Sequence, residues 1–322
     1  MRNDPSSNIR PSIRNVTSRG VPPANQLSIA TPLPKDVNVS FEFFPPAMLN
    51  GSGSFWASIE RLLPLDPDFV SITYGAGGTT QDRTLDTASA LLRGSSTDVA
   101  MHLTCAGASK GEVNTTAEQF RATGGKRILA LRGDPPKGSD NYEPHPNGYG
   151  YAHDLVAGLK RLGNFDISVA AYPESHPESL DAKADMDNLK AKFGAGADRA
   201  ITQFFFDTDT FMRFLESARK SGVTAPIIPG ILPITDFKRT KSFAERCGAK
   251  VPKWMDELFE DLDDDLETRR LVAASVAAEQ CRALYAQGIE NFHFYTLNQA
   301  DLCYAICHML GVRPKTTEQK AA

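Results

Sequence analysis

The sequence predicts a single α/β domain folded as a (β/α)8 TIM barrel, and three observations predict it. Short β-branched or aromatic runs alternate with longer helix-period stretches, the pattern of βα units on a parallel sheet. Eight such runs occur in the 322-residue chain, a length that holds one barrel with tails to spare. Reactive side chains gather at the C-terminal ends of these runs, where barrel enzymes carry their active sites. An open doubly wound sheet is the competing architecture, because periodicity alone does not show closure.

Taken in order, residues 1–36 carry Pro5, Pro11, Pro22, Pro23, Pro32 and Pro34 among Ser and Asn with no apolar periodicity, and read as a flexible tail. Arg2, Arg10, Arg14 and Arg19 against Asp4 and Asp36 also suit an organelle transit peptide. The barrel spans 37–312, with strands expected at 37–44, 68–74, 98–104, 127–132, 167–172, 200–205, 226–231 and 291–296. Helical stretches follow, for example 81–93 after the second strand and 208–220 after the sixth. A helical insertion separates strands seven and eight. Within it, 263–287 is expected as one long helix: Asp263, Asp264 and Asp265 complement its positive end, and Gly288 stops it. The polar residues 313–322 form a second tail.

Composition narrows the function classes. A net charge of -4 offers no basic footprint for nucleic acid or an anionic membrane surface. No apolar run is long enough to span a bilayer, and the first residues lack a signal-peptide core. Cys105, Cys247, Cys281, Cys303 and Cys307 form no C-x-x-C pair, which fits a reducing, cytoplasmic setting. Cys303, Cys307 and His308 share a helix without a further ligand set, so no metal is expected. Tyr74-Gly-Ala-Gly-Gly-Thr-Thr80 looks like a phosphate loop, but Thr80 breaks G-x-G-x-x-G, and no Walker sequence exists. A dinucleotide must therefore bind outside a Rossmann unit.

The strand ends carry Glu42, Thr73 with Tyr74, His102 with Thr104, Arg132 with Asp134, Tyr172, Gln203, Pro229 with Gly230, and His293 with Tyr295. Glu42 lies among Phe41, Phe43 and Phe44, a setting expected to raise its pKa, keep it protonated and fit it for general-acid work. The structural alternative is a buried carboxylate paired with Arg or Lys. Arg132-Gly-Asp-Pro-Pro turns out of strand four, where Gly133 permits close approach to a ligand and Asp134 faces the barrel mouth; a plain turn-forming Asp is the other reading. After strand five, Asp185, Asn188 and Lys192 share one helical face, suited to a ribityl chain and diphosphate or to solvent alone.

Ser-Phe-Glu-Phe-Phe-Pro-Pro, Thr-Tyr-Gly-Ala-Gly-Gly, His-Leu-Thr-Cys, Leu-Arg-Gly-Asp-Pro-Pro, Ala-Ala-Tyr-Pro-Glu-Ser-His-Pro-Glu, Ile-Thr-Gln-Phe-Phe-Phe-Asp and His-Phe-Tyr-Thr-Leu-Asn occur together in this chain. The combination, over roughly 37–313, resembles the methylenetetrahydrofolate reductases in their short bacterial form. The resemblance implies noncovalent FAD, a nicotinamide donor (NADH in preference to NADPH), and reduction of 5,10-methylenetetrahydrofolate to 5-methyltetrahydrofolate by ping-pong hydride transfer, feeding methionine synthesis. It implies Glu42 as proton donor and Asp134 as a fixed charge beside the flavin. It assigns FAD to Thr73, Tyr74, Ala76, His102, Arg132, Gly133, Asp134, Ala152, Tyr172, His176, Asp185, Asn188 and Lys192. Gln203 and Phe243 are implied as contacts for folate and nicotinamide in turn. Many relatives carry Arg where this chain has Gln299, which weakens a contact to the folate's glutamate tail, and Arg239 is the expected substitute. A homo-oligomer is also implied. The rival readings are another TIM-barrel flavoenzyme, such as an amine oxidoreductase resembling proline dehydrogenase, and a folate-binding protein without the chemistry.

Overall fold

A computed structural model of the chain describes residues 33–49, 52–74, 81–135 and 142–315. Contacts divide the chain into Met1–Leu33 and Pro34–Ala322, and the architecture below is that of the second unit. Nearly all of the expected N-terminal tail, and 316–322 of the C-terminal one, lie outside the described residues.

Nine parallel strands make one sheet: β1 Asn38–Phe43, β2 Val70–Ile72, β3 Val99–Thr104, β4 Arg127–Leu131, β5 Asp166–Ala171, β6 Arg199–Thr202, β7 Ile227–Ile228, β8 Gly230–Ile231 and β9 Asn291–Tyr295. Their order is β7-β6-β5-β4-β3-β2-β1-β9-β8. Eight expected strands become nine because the seventh breaks at Pro229, which has no N–H to donate to a ladder. Before the break the chain pairs with β6, and after it with β9. His293 N donates to Pro229 O at 3.0 Å and Gly230 N to Thr202 Oγ1 at 3.0 Å, so this one bent segment closes the barrel. A Cβ at Gly230 would lie 2.2 Å from Thr202 O and 2.6 Å from the Tyr295 ring, so only glycine fits the seam.

Helices cover the outside: α1 Gly53–Leu62, α2 Gln81–Gly94, α3 Lys110–Ala122, α4 Ala152–Leu162, α5 Ala182–Gly194, α6 Thr208–Lys220, α7 Phe237–Cys247, α8 Lys253–Phe259, α9 Leu266–Tyr285 and α10 Ala300–Met309. Local chemistry sets their starts. Ser109 and Glu112 form a reciprocal capping box on α3, and Asp181 caps α5 through Ala184 N. Of the expected acidic triplet, Asp265 is the cap of α9, accepting from Thr268 N, and Gly288 sits at φ +88° beyond its end. The insertion thus holds α8 as well as the long α9.

Strand alternation sorts the core into two layers. Phe41, Phe43, Ile72, Met101, Ile128, Ile167 and Phe294 face the helices in one continuous cluster. Phe69, Ala100, Leu129, Ile201 and Ile228 form a second, small cluster, the plug of the barrel interior. Among the described residues no helix is long and apolar enough to cross a membrane.

Candidate active site

Glu42 sits on the inward face of β1, with its side chain 16% exposed. Its Oε2 lies 3.3 Å from His102 Nε2 on β3 and 3.6 Å from His293 Nε2 on β9. Register fixes the trio: Ser40 pairs with His293 and Glu42 with Tyr295, so the same face of β1 meets the same face of β9. Ser40 Oγ is 2.7 Å from His293 Nδ1, and the Phe69 ring stacks on the imidazole with centroids 5.6 Å apart. Both Nε2 atoms are buried and at attractive distance from the carboxylate, yet misaligned for a formed hydrogen bond.

This setting overturns the expected raised pKa of Glu42. Burial pushes the carboxyl up, but the neighbouring imidazoles of His102 and, to a lesser degree, His293 outweigh it and hold the group at about 2. The expectation failed because the phenylalanines do not surround the carboxyl. Phe41 stacks on Phe294 and Phe43 packs edge-on to Phe55 in the outer layer, while Phe44 is exposed. The partners are imidazoles, not the Arg or Lys of the structural alternative.

A cavity of about 770 Å³ opens at the C-terminal ends of β3, β4 and β5. Tyr74, Arg132, Gly133, Asp134 and Ala152 line it, as do Tyr172, His176, Asp185, Asn188 and Lys192. Ala76 lies outside the described residues. Thr73 is buried beside the cavity, its N–H donating to Phe43 O at 3.0 Å, and His102 belongs to the Glu42 cluster, so neither is on the wall. Gly133 adopts φ +91°, and a Cβ there would fall 2.9 Å from both Ala106 Cβ and Thr104 Cβ; the wall requires glycine. Lys192 is 6% exposed and donates to Ala170 O at 2.9 Å; burial pushes its ammonium down to about 8 against the opposing pull of Asp185. Burial likewise pushes the phenols of Tyr74 and Tyr172 up to about 12, so both stay neutral donors.

Gln203 is placed apart from that wall. It lines a narrow crevice with Tyr172, Phe204, Cys247 and Gly248, and its Oε1 accepts from Phe204 N at 3.0 Å. Phe204 bridges outward: Phe243 on α7 stacks on it at 5.3 Å, and Tyr295 meets it edge-on at 6.4 Å. Tyr172 is common to cavity and crevice.

The methylenetetrahydrofolate reductase family model matches residues 28–311. The chain belongs to the methylenetetrahydrofolate reductase family. The 5,10-methylenetetrahydrofolate reductases of Salmonella typhimurium and Escherichia coli are each 49% identical over 278 residues, covering 86% of this chain and 92% of those enzymes. Methylenetetrahydrofolate reductase (NADH) 1 of Arabidopsis thaliana is 37% identical over 85% of this chain but only 48% of its own length. A solved Clostridium thermocellum protein that binds two copies of 5-methyl-5,6,7,8-tetrahydrofolic acid has a TM-score of 0.55 at 15% identity, covering 86% of this chain and 96% of that one, and supports the barrel fold alone.

Two positions singled out in this member of the methylenetetrahydrofolate reductase family line neither the cavity nor the crevice. Arg239 on α7 is 89% exposed and pairs only loosely with Asp236, 3.5 Å away. Gln299 is the exposed N-cap of α10, with no side-chain capping bond. Conversely, His293 was legible only as a polar strand end, Glu178 only as the last residue of a family motif with no role given to it, and Tyr142 on the cavity wall carried no signal in sequence. Among the described residues no cluster of His, Cys, Asp or Glu could hold a metal ion.

Proposed function

We propose that the chain reduces 5,10-methylenetetrahydrofolate to 5-methyltetrahydrofolate with electrons from NAD(P)H, NADH in preference, carried through noncovalent FAD in a ping-pong cycle that feeds methionine synthesis. One observation carries the reading beyond family membership. The large cavity and the carboxylate–imidazole cluster share strand β3, through Thr104 and His102. The residues present fit FAD. The volume lies in the usual range for cofactor sites. Arg132 and Lys192 supply cations for a diphosphate, and Lys192, held buried with one backbone acceptor, gains a counter-charge from it. Asp185 and Asn188, three residues apart on α5, suit ribityl hydroxyls.

When bound, FAD supplies hydride chemistry that no side chain offers. The chain's own work is proton handling and charge. Opening the folate's methylene bridge needs a proton at a ring nitrogen. A carboxyl held at about 2 stores no proton at neutral pH, so Glu42 acts as a relay: its Oε2, 3.3 Å from His102 Nε2 and 3.6 Å from His293 Nε2, hands to the substrate a proton that reaches it at the moment of reaction. Asp134, exposed on the cavity wall, stabilises the positive charge that develops on the folate. Gln203, Phe204 and Phe243 form the shelf on which folate and nicotinamide alternate. Homo-oligomeric assembly and action in the cytoplasm belong to the same reading; all five cysteines are free thiols, as a reducing compartment permits.

Anaerobic stopped-flow absorbance tests the whole. FAD-loaded protein is expected to bleach with NADH faster than with NADPH and to recover its absorbance on adding methylenetetrahydrofolate. Bleaching by proline instead would favour the amine oxidoreductase.

A further inference from the structure

Arg132 leaves the end of β4 and lays its guanidinium over the Tyr142 ring, 4.4 Å from the centroid, on the wall of the large cavity. One carboxylate takes both of its outer nitrogens: Nη1 donates to Glu178 Oε2 at 2.5 Å and Nη2 to Glu178 Oε1 at 3.0 Å. Glu178 comes from the loop between β5 and α5, whose base is braced. His176 N donates to Asp185 Oδ2 at 2.8 Å, Glu178 N to His176 Nδ1 at 3.1 Å, and Lys250 N to Glu174 Oε2 at 2.8 Å. The tip is braced only within its own loop, by Ser179 N donating to His176 O at 2.8 Å and Ser179 Oγ to Asp181 O at 3.1 Å. Leu180 is 91% exposed at the cavity lip, and among the described residues the Arg132–Glu178 pair is the polar tie from this tip to the opposite wall.

We propose that Glu178 is a latch: its carboxylate competes with the phosphates of an anionic ligand for the Arg132 guanidinium, so ligand entry requires Glu178 to let go and the loop after β5 to shift. The inference rests on the cofactor reading above and deepens it, since it makes Glu178 a determinant of how tightly and how fast a diphosphate-bearing cofactor is taken up. A guanidinium binds one planar anion in bidentate fashion at a time, and phosphate matches that fork as well as carboxylate does. Lys192, the other cation on the wall, stays engaged with Ala170 O on the cavity floor, which leaves Arg132 as the cation whose partner must change. The latch is also weak enough to yield. Glu178 is 47% exposed, and a pair so open to water is displaced at a cost of about a factor of five in affinity.

The test compares cofactor-free wild type with Glu178→Gln, which keeps the side-chain size and removes the charge. Binding of FAD and of riboflavin is followed by quenching of flavin fluorescence, and inorganic pyrophosphate is titrated as a competitor. The latch requires FAD to bind E178Q about three- to tenfold tighter, mainly through faster association, with pyrophosphate improved by a similar factor and riboflavin unchanged. The gain should vanish in an Arg132→Ala background. An unchanged or weakened FAD affinity in E178Q, or a riboflavin gain equal to that of FAD, overturns it. If wild type takes up no FAD at all, the cofactor reading fails by itself, and the pyrophosphate arm still decides the latch.

Discussion

Phe69 stands inside the barrel in contact with two charge clusters that face opposite ends of it. Toward the strand starts, Arg127 lies 5.2 Å from the Phe69 ring, among Asp98 at 3.0 Å, Asp68 at 3.4 Å and Asp166 at 3.7 Å. Asp166 is held in turn by Arg199. Toward the strand ends, His293 stacks on Phe69, and Glu42 meets two imidazoles whose Nε2 atoms find no aligned partner. The lower cluster is saturated: two guanidiniums, Arg127 and Arg199, among three carboxylates that are partly open to solvent. The upper one is a carboxylate with imidazoles around it and unspent hydrogen-bonding capacity. Partial satisfaction costs stability, and it leaves a proton path open. The same physics of buried charge therefore gives a clamp at one end and a reactive site at the other, the division expected of the two faces of this fold.

The contrast can be broken most severely at the top. Glu42→Gln should lower folate turnover by about 10²–10⁴ while NADH still bleaches the flavin, because only the proton step uses the carboxyl; single-turnover kinetics of the two half-reactions separate them. At the bottom the effect should be on stability alone. Arg127→Met strands half-exposed carboxylates and should cost about 2–3 kcal/mol of unfolding free energy with the kcat of the folded fraction unchanged, as read by denaturant titration beside steady-state assays.

A pH series sharpens the comparison. Glu42 falls from an ordinary 4.5 to about 2 in the folded protein, so its contribution to stability is complete above pH 4.5 and is lost as pH falls toward 2. The stability difference between wild type and E42Q should therefore shrink across that window, which thermal melts at stepped pH would follow. Gly133→Ala comes next: its positive φ and the two close Cβ atoms should weaken FAD retention by about 1–2 kcal/mol, measured by flavin release on dilution, with little effect at the lower cluster. The smallest change is expected from Arg239→Ala, about threefold or less in folate KM with kcat intact, given how fully the side chain faces solvent.

Legibility in sequence followed locality. The strand runs stood out because alternation and β-branched content are local, and α6 begins and ends at the expected 208–220. Most residues expected on the cavity wall do gather there, since each sits just past the end of its own strand or on the inward face of the helix that follows. What escaped was pairing across strands. Nothing near Glu42 in the chain announces His102 or His293, and the aromatic neighbours that are adjacent in sequence point to the other face. Glu178 was similarly hidden, because its partner Arg132 lies on a different strand end.

The sequence by itself determined the eight βα units, the acidic start and glycine stop of the long helix in the insertion, and which polar residues stand at strand ends, all consequences of backbone sterics and side-chain period. The tertiary structure alone decided that the ring closes through a break at Pro229, that Gln203 sits in a crevice beside the large cavity, and that imidazoles hold the Glu42 carboxyl well below its ordinary range. The reason is that electrostatic energy depends on distance in space, and closing the barrel brings β3 and β9 to the two sides of a carboxyl whose own stretch of chain gave it only phenylalanines.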